Sequence, residues 1–322
     1  MSSPTHFSLL FRNLVEGVQS FVDSLPAGAP EPFFWFDCFV LDQHAQSSQG
    51  AEWWRTTFKR AIGNIGHTLM MMSPWDNPIP LSRSWCLWEL FCTHDTEANF
   101  SVCLGPAEQT QFRESIVSGS DIVMKAFASI DVRKAKAGKA EDQKRILDAV
   151  EESVGSDQLN AIALREIRTW LVSEARQLLS GATIKGRNQI SCLFKELGFY
   201  EECGRINDGT LVMCNTAEPS LDVGKTYNNM AMVYYEQGKH ALALEFYEKS
   251  LAIKKQCVGE NHLEVGRTYM NMAKVYDEQK RFVEARDYFS RAKTIYTQTH
   301  GDRYTRWFDE QIERVSRQLS QD

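Results

Sequence analysis

Leu221-Asp-Val-Gly-Lys-Thr-Tyr227 returns 42 positions later as Leu263-Glu-Val-Gly-Arg-Thr-Tyr269. The match runs on through Met230-Ala231 and Met272-Ala273, Val233-Tyr234 and Val275-Tyr276, and Glu236-Gln237 and Glu278-Gln279. Further on, Ala243 answers to Ala285, Tyr247 to Phe289, Ile253 to Ile295 and Gly259 to Gly301. Agreement at one constant offset over so many positions marks a repeated structural unit. Within one copy, Tyr227, Met230, Ala231 and Tyr234 keep helical spacing, Gly238 breaks it, and Ala243, Tyr247, Leu251 and Ala252 resume it. The unit is therefore helix, turn, helix. Ala231 and Ala243 sit where the two helices must approach closely, and the large Tyr and Phe side chains, Tyr227, Tyr234, Tyr247, Tyr269 and Tyr276 among them, belong to the core. One such unit cannot cover both of its faces, so the copies must stack.

A degenerate earlier copy is visible in Ile190 to Cys203, with Gly198 in the role of Gly238 and Cys203 in that of Ala243, at an offset of 40. After Gly301 one more amphipathic helix fits, carrying Trp307, Ile312, Val315 and Leu319, and it should close the exposed end of the stack. Residues 186–322 are thus expected to form an all-α solenoid of about two clear repeats, one degenerate repeat and one capping helix. This segment resembles the tetratricopeptide repeat (TPR), in the 42-residue form found in kinesin light chains. The resemblance implies a concave face that holds a peptide or a protein partner. Kinesin light chains also carry a long heptad segment ahead of their repeats, and no sustained a/d heptad occurs in this sequence. A kinesin-light-chain-like cargo adaptor is accordingly an alternative to a scaffold.

Toward the N-terminus the pattern changes. Residues 7–25 read as a helix with a broad apolar stripe, stopped by Pro26 to Pro32. Residues 33–40 are continuously apolar apart from Asp37, as in a strand covered on both faces. A helix over 53–63, a strand over 68–72, a helix opening at Trp85, a strand over 100–104 and a helix from Pro106 follow, then two helices over 141–154 and 157–179. The Lys-rich stretch 131–139 reads as a solvated connector. Such alternation indicates an α/β layer with parallel strands over residues 1–180.

Residues 35–94 hold six of the eight tryptophans. The run Ala61-Ile-Gly-Asn-Ile-Gly-His-Thr-Leu-Met-Met-Met-Ser73, followed by Leu81-Ser-Arg-Ser-Trp-Cys-Leu-Trp-Glu-Leu90, resembles the Toll/interleukin-1 receptor (TIR) domain in its plant-type version. The resemblance implies a flavodoxin-like fold, and it covers about 60 residues. A TIR domain begins with a central strand ahead of the first helix, whereas only Met1 to His6 precede that helix here. The expected sheet is therefore incomplete, its central strand wanting by truncation or by loss. In TIR domains that cleave NAD, the glutamate of the last motif is catalytic, and it falls on Glu89. A carboxylate near the ribose could stabilise the oxocarbenium-like state of N-glycosidic cleavage. The competing reading is that Glu89 sits in a first helical turn and serves the helix dipole, while the two indoles of the motif pack. Asp42-Gln43-His44 follows a strand end, where α/β sites gather, so Asp37, His44 and Trp85 join Glu89 as candidate ligand-binding residues.

Composition narrows the rest. With 43% hydrophobic and 24% charged residues the chain can build a core, which excludes wholesale disorder. The net charge of -6 comes without a basic stripe, which argues against nucleic acid. No apolar run reaches the roughly 18 residues of a membrane-spanning helix. Eight cysteines without a CxxC pair read as reduced thiols of a cytoplasmic protein, neither a disulfide framework nor a zinc site. The sequence lacks the GxGxxG, GxxxxGK[ST], HExxH and GxSxG motifs. The expectation is a cytoplasmic scaffold, more an interaction protein than an enzyme. It needs no metal or cofactor, it self-associates through the TIR-like part, and NAD enters as a substrate only under the alternative reading.

Overall fold

The structure, a computed structural model, describes residues 6–28, 32, 34, 54–128, 132–136 and 140–320. The chain divides into two compact units, Met1–Leu178 and Leu179–Asp322.

In the first unit, α1 spans His6–Asp23. A π-helical turn, Trp54–Phe58, leads into α2, Lys59–Ile65, which ends on Gly66 in the left-handed region at φ 76°. That glycine turns the chain into β1, His67–Met71. Helix α3, Ser84–Asp95, crosses over to β2, Asn99–Cys103, and the two strands pair in parallel from His67 opposite Asn99 to Met71 opposite Cys103. A parallel pair needs such a crossover, since a tight turn can join only antiparallel strands. Among the described residues the sheet has these two strands; the strand expected over 33–40, apart from Phe34, lies outside them. Helices α4 (Pro106–Ser118), α5 (Ser120–Ala128), α6 (Ala140–Ser153) and α7 (Ser156–Leu178) complete the unit. Its core joins Met70, Leu87, Leu90, Phe112, Ile116, Leu159, Ala163 and Ile167, all buried. Phe112 links two layers, with Trp170 stacked on it at 4.8 Å and Trp75 edge-on at 5.5 Å. In the described part of the stretch read as a solvated connector, residues 132–136, the side chains of Arg133, Lys134 and Lys136 are exposed and the backbone is also pinned. Lys136 donates its N–H to the Ser82 carbonyl at 2.8 Å and accepts from Ser84 N at 3.1 Å, and Ala135 is buried. Lys134 and Lys136 are exposed while the backbone beside them is held, a distinction that composition does not carry.

The second unit is a stack of helix pairs: α8 (Ile184–Glu196) with α9 (Tyr200–Cys214), α10 (Leu221–Glu236) with α11 (His240–Val258), and α12 (Leu263–Glu278) with α13 (Phe282–His300). A final helix, α14, Thr305–Leu319, packs on α13. Three turns are built alike. Gly198, Gly238 and Lys280 take φ 86°, 71° and 59°, and each is followed by a residue whose N–H reaches back into the helix, as Phe199 N does to Phe194 O (2.8 Å), Lys239 N to Tyr234 O (2.9 Å) and Arg281 N to Tyr276 O (2.9 Å). This double closure satisfies carbonyls that a helix end otherwise leaves open. The small residues do what their spacing implies. Ala231, Ala243, Ala273 and Ala285 are fully buried, and Ser191 and Cys203 stand in their places in the first pair. Gly224 and Gly266 add a second close approach. A Cβ on Gly224 would stand 2.9 Å from Lys254 Cγ, and one on Gly266 would stand 3.0 Å from Ile295 Cγ2. Of the repeat tyrosines, Tyr247, Tyr269 and Tyr276 are buried, whereas Tyr227 and Tyr234 are only half-buried. On α14 the buried residues are Phe308 and Val315, with Trp307 38% exposed beside them.

Candidate functional site

The first helices of the second and third pairs present a row of half-buried polar side chains. Asn228 and Asn229 lie on α10 and Asn271 on α12, just past the Gly-x-Thr-Tyr segment that fixes each helix against its partner. Asn271 Nδ2 donates to Asn228 Oδ1 at 3.3 Å, which ties the two helices together. Asn228 Nδ2 in turn reaches only the Met232 sulfur at 3.6 Å, and Asn229 Nδ2 only the Cys192 sulfur at 4.0 Å. Sulfur is a weak acceptor, so these amides have donor capacity left for a better one. Asn188, one pair earlier, is buried and spent inside the fold, donating to Asp222 O at 2.8 Å and accepting from Thr226 Oγ1 at 2.9 Å.

A buried charge lies between the second and third pairs. Lys254 on α11 is 1% exposed, with Nζ 3.3 Å from Glu264 Oε2 and 3.0 Å from Thr268 Oγ1, both on α12. Burial pushes the Lys254 ammonium down to about 8, against the opposing pull of Glu264. Burial alone would raise the Glu264 carboxyl, but Lys254, Arg267 and Lys225 together hold it below the usual range. The pair therefore stitches the second helix pair to the third.

In the first unit, Glu89 and Trp85 are half-buried on α3. Helix α3 begins at Ser84, which puts Glu89 in its second turn, so the helix-dipole reading of this glutamate does not apply. Glu89 lines a cavity of about 360 Å³ together with Val18, Phe21, Ile62, His67, Thr68 and others. Its carbonyl accepts from Thr93 Oγ1 at 2.7 Å, and Thr93 meets Thr68 at 2.7 Å. His67 contacts Ser101 Oγ at 2.9 Å, and partial burial lowers its pKa below the usual histidine value. Trp85 is not among the described lining residues of this cavity, and Asp37 and His44 lie outside the described residues. Among the described residues no group of three or more His, Cys, Asp and Glu side chains is arranged to hold a metal ion, and no helix is long and apolar enough to cross a membrane.

The asparagine row and the Lys254–Glu264 pair were not singled out from the sequence, although a signal existed for the first. Tyr227-Asn-Asn-Met230 and Tyr269-Met-Asn-Met272 repeat Asn229 as Asn271. Lys254 gives no such signal, because the position 42 residues on is Tyr296.

Residues 222–298 match the tetratricopeptide repeat family model. This segment is made of TPR repeats. Among curated proteins none matches the chain. Solved structures similar to it include BtubC of P. vanneervenii, 14% identical with a TM-score of 0.42 over 66% of this chain and 82% of that one. Another is a kinesin-light-chain-type protein of Podosopora anserina with nearly identical TPR-like repeats, 12% identical with a TM-score of 0.40 over 56% of this chain and 87% of that one.

Proposed function

We infer that the helix-pair array is a docking surface for an extended segment of a partner protein, on a concave wall formed by the first helices. The carrying observation is the row of Asn228, Asn229 and Asn271, whose amides meet one another or sulfur and no strong outside acceptor. A carboxamide offers a donor and an acceptor side by side, the pattern that a peptide group complements. The match of residues 222–298 to TPR repeats supports the same reading. The α/β unit acts as a TIR-like assembly domain through which copies associate, and the whole works as a cytoplasmic scaffold; a cargo adaptor is one form that such a scaffold takes. The test is selection of peptides from a displayed library on the full chain, followed by titration. Asn228→Ala with Asn271→Ala should weaken the selected peptides at least about tenfold, as expected when two or three hydrogen bonds are lost. Unchanged affinity with intact helical circular dichroism would place docking elsewhere.

The second reading, NAD cleavage by Glu89, is favoured by one observation, the half-buried carboxylate beside a cavity of about 360 Å³. Its test is nicotinamide release by the full chain. Glu89→Gln keeps the shape and removes the charge, so it should abolish turnover without moving the melting temperature. Turnover equal to a buffer control in the unmodified chain would remove the reading.

A further inference from the structure

The first helix of every pair ends on a glutamate: α8 at Glu196, α10 at Glu236 and α12 at Glu278. These three are related by the same offsets, 40 and 42 residues, that relate the pairs themselves. Seven residues before each, two helical turns back and so on the same face, stand Gln189, Asn229 and Asn271. The glutamates therefore border the carboxamide row at the C-terminal ends of its helices. All three are exposed, and none of them forms an ion pair among the described residues. The first pair has Ser191, Cys203 and Asn207 where the second has Ala231, Ala243 and Tyr247, yet it keeps this glutamate.

Local physics argues against this placement. The last turn of a helix carries the negative end of its dipole and favours cations, so a terminal carboxylate is repelled there. Two cations of the following turns are engaged elsewhere. Lys239 lies over the Tyr234 ring at 5.9 Å, and Arg281 lies over Tyr276 at 4.6 Å and pairs with Glu284 at 2.6 Å. Lys195, which shares a cavity lining with Glu236, and Lys280, in the turn after α12, offset part of the charge, and Arg314 takes up Asp277. At the opposite end of the same face the cations are already answered, Arg267 by Glu264 at 3.0 Å and Lys225 by Asp222 at 3.9 Å. The face is left with a surplus of negative charge along one edge. A rule of local stability broken three times at one register position marks a place held for function.

We propose that the docked partner segment is basic, in polyproline II conformation with a Lys or Arg at every third residue, and that it crosses the first helices with those side chains along the carboxylate edge. This rests on the docking reading and names the partner's chemistry. Helices in side-chain contact, as α10 and α12 are through Asn228 and Asn271, lie about 8–10 Å apart. A polyproline II segment repeats every three residues and rises about 3.1 Å per residue, roughly 9 Å per turn. One side chain per turn therefore meets one glutamate per helix. A β-strand returns to the same face after two residues, about 7 Å, and falls out of step by the third helix. The polyproline II backbone makes no hydrogen bonds of its own, so its carbonyls stay open to the spare donors of Asn228 and Asn229.

The experiment is fluorescence-anisotropy titration of the full chain with labelled synthetic peptides. The first is a run of tandem Pro-Pro-Lys triplets; two more have the same composition with the lysines adjacent or at alternate positions, and a fourth has Glu in place of Lys. The triplet peptide is expected to bind at least about threefold more tightly than either rearranged one, with no binding of the glutamate peptide in the same range. Glu236→Gln with Glu278→Gln, both at exposed positions, should weaken the triplet peptide about three- to tenfold, the scale of two exposed ion pairs, and flatten its salt dependence. Glu248→Gln, exposed on α11, should leave its binding unchanged. Equal binding of the rearranged peptides, preference for the glutamate peptide, or indifference to the double substitution would overturn the proposal. Peptides selected from the displayed library separate the two readings. Selected peptides that lack basic residues but still depend on Asn228 and Asn271 would keep the docking row and overturn the basic partner, whereas selected peptides indifferent to both asparagines would remove the docking row and this proposal with it.

Discussion

At the scale of single residues, three turns with one geometry carry two different residue types. Gly198 and Gly238 adopt the left-handed region without penalty, while Lys280 takes it with a Cβ, at φ 59°. A left-handed non-glycine residue costs about 1–2 kcal/mol, partly recovered because glycine loses more freedom on folding. Lys280→Gly should therefore stabilise the chain by roughly 0.5–1 kcal/mol, read as a higher urea midpoint at an unchanged m-value. Lys254 poses the opposite question. Between pH about 8 and the ordinary lysine range the unfolded chain holds a proton that the folded one has shed, so stability rises with pH across that window; below about 8 both states are protonated and the desolvation cost stands in full. Lys254→Met should erase this rise. It should also change stability at pH 7 by no more than about 1 kcal/mol, because Glu264 keeps Arg267 at 3.0 Å. Glu264→Gln should cost about 3 kcal/mol at pH 7, since it leaves the buried ammonium without its counter-charge, and the loss should shrink above pH 8. Equal effects of the two substitutions in pH-resolved denaturation would contradict this account. The sequence reveals neither effect. The repeat alignment hides Lys254, and a lysine at a glycine position looks like an ordinary exposed residue.

Among the elements, the first helix pair differs from the other two in what fills its centre. Where the second pair has Ala231, Ala243 and Tyr247, the first has Ser191, Cys203 and Asn207, with Ser191 Oγ donating to Asn207 Oδ1 at 2.7 Å and Asn207 Nδ2 buried without a partner. The polar side chains there trade apolar burial for hydrogen bonds of modest net value. The amphipathic pattern of this pair is weak in sequence for the same reason, and only Gly198 and Cys203 betray it. The closing helix shows the reverse limit. Its apolar spacing was legible, but Trp307 was set on the apolar face where Phe308, four residues before Ile312, keeps the helical period. The structure buries Phe308 at 5.1 Å from Tyr296 and stands Trp307 edge-on to Phe289 at 6.2 Å. Phe308→Ala should accordingly cost about 3–5 kcal/mol and Trp307→Ala distinctly less. Thermal melts of both variants would check the order.

For the whole molecule, legibility tracked repetition. A period repeated across the second unit averages out local exceptions, so its helices, turns and close contacts could be read from spacing. The strand and helix alternation of the first unit located β1, α3 and β2 to within a few residues. The candidate site there rested on motif resemblance, and its residues do not all fall in one place: Glu89 reaches the cavity lining, Trp85 is not in the described part of it, and Asp37 and His44 lie outside the described residues. The asparagine row went unread because half-buried amides look like any polar helix face until a neighbouring helix supplies their partners. The stacking of the second unit also bears on how it would answer a pull. Each pair touches the next and little else, so a tether on the C-terminus should first lift α14 from α13 and then peel the pairs away in succession. Each 42-residue repeat released should lengthen the tether by roughly 140 Å, at about 3.4 Å per residue of extended chain. A single-molecule force trace should then show a staircase, whereas a globule with many long-range ties would let go in one event.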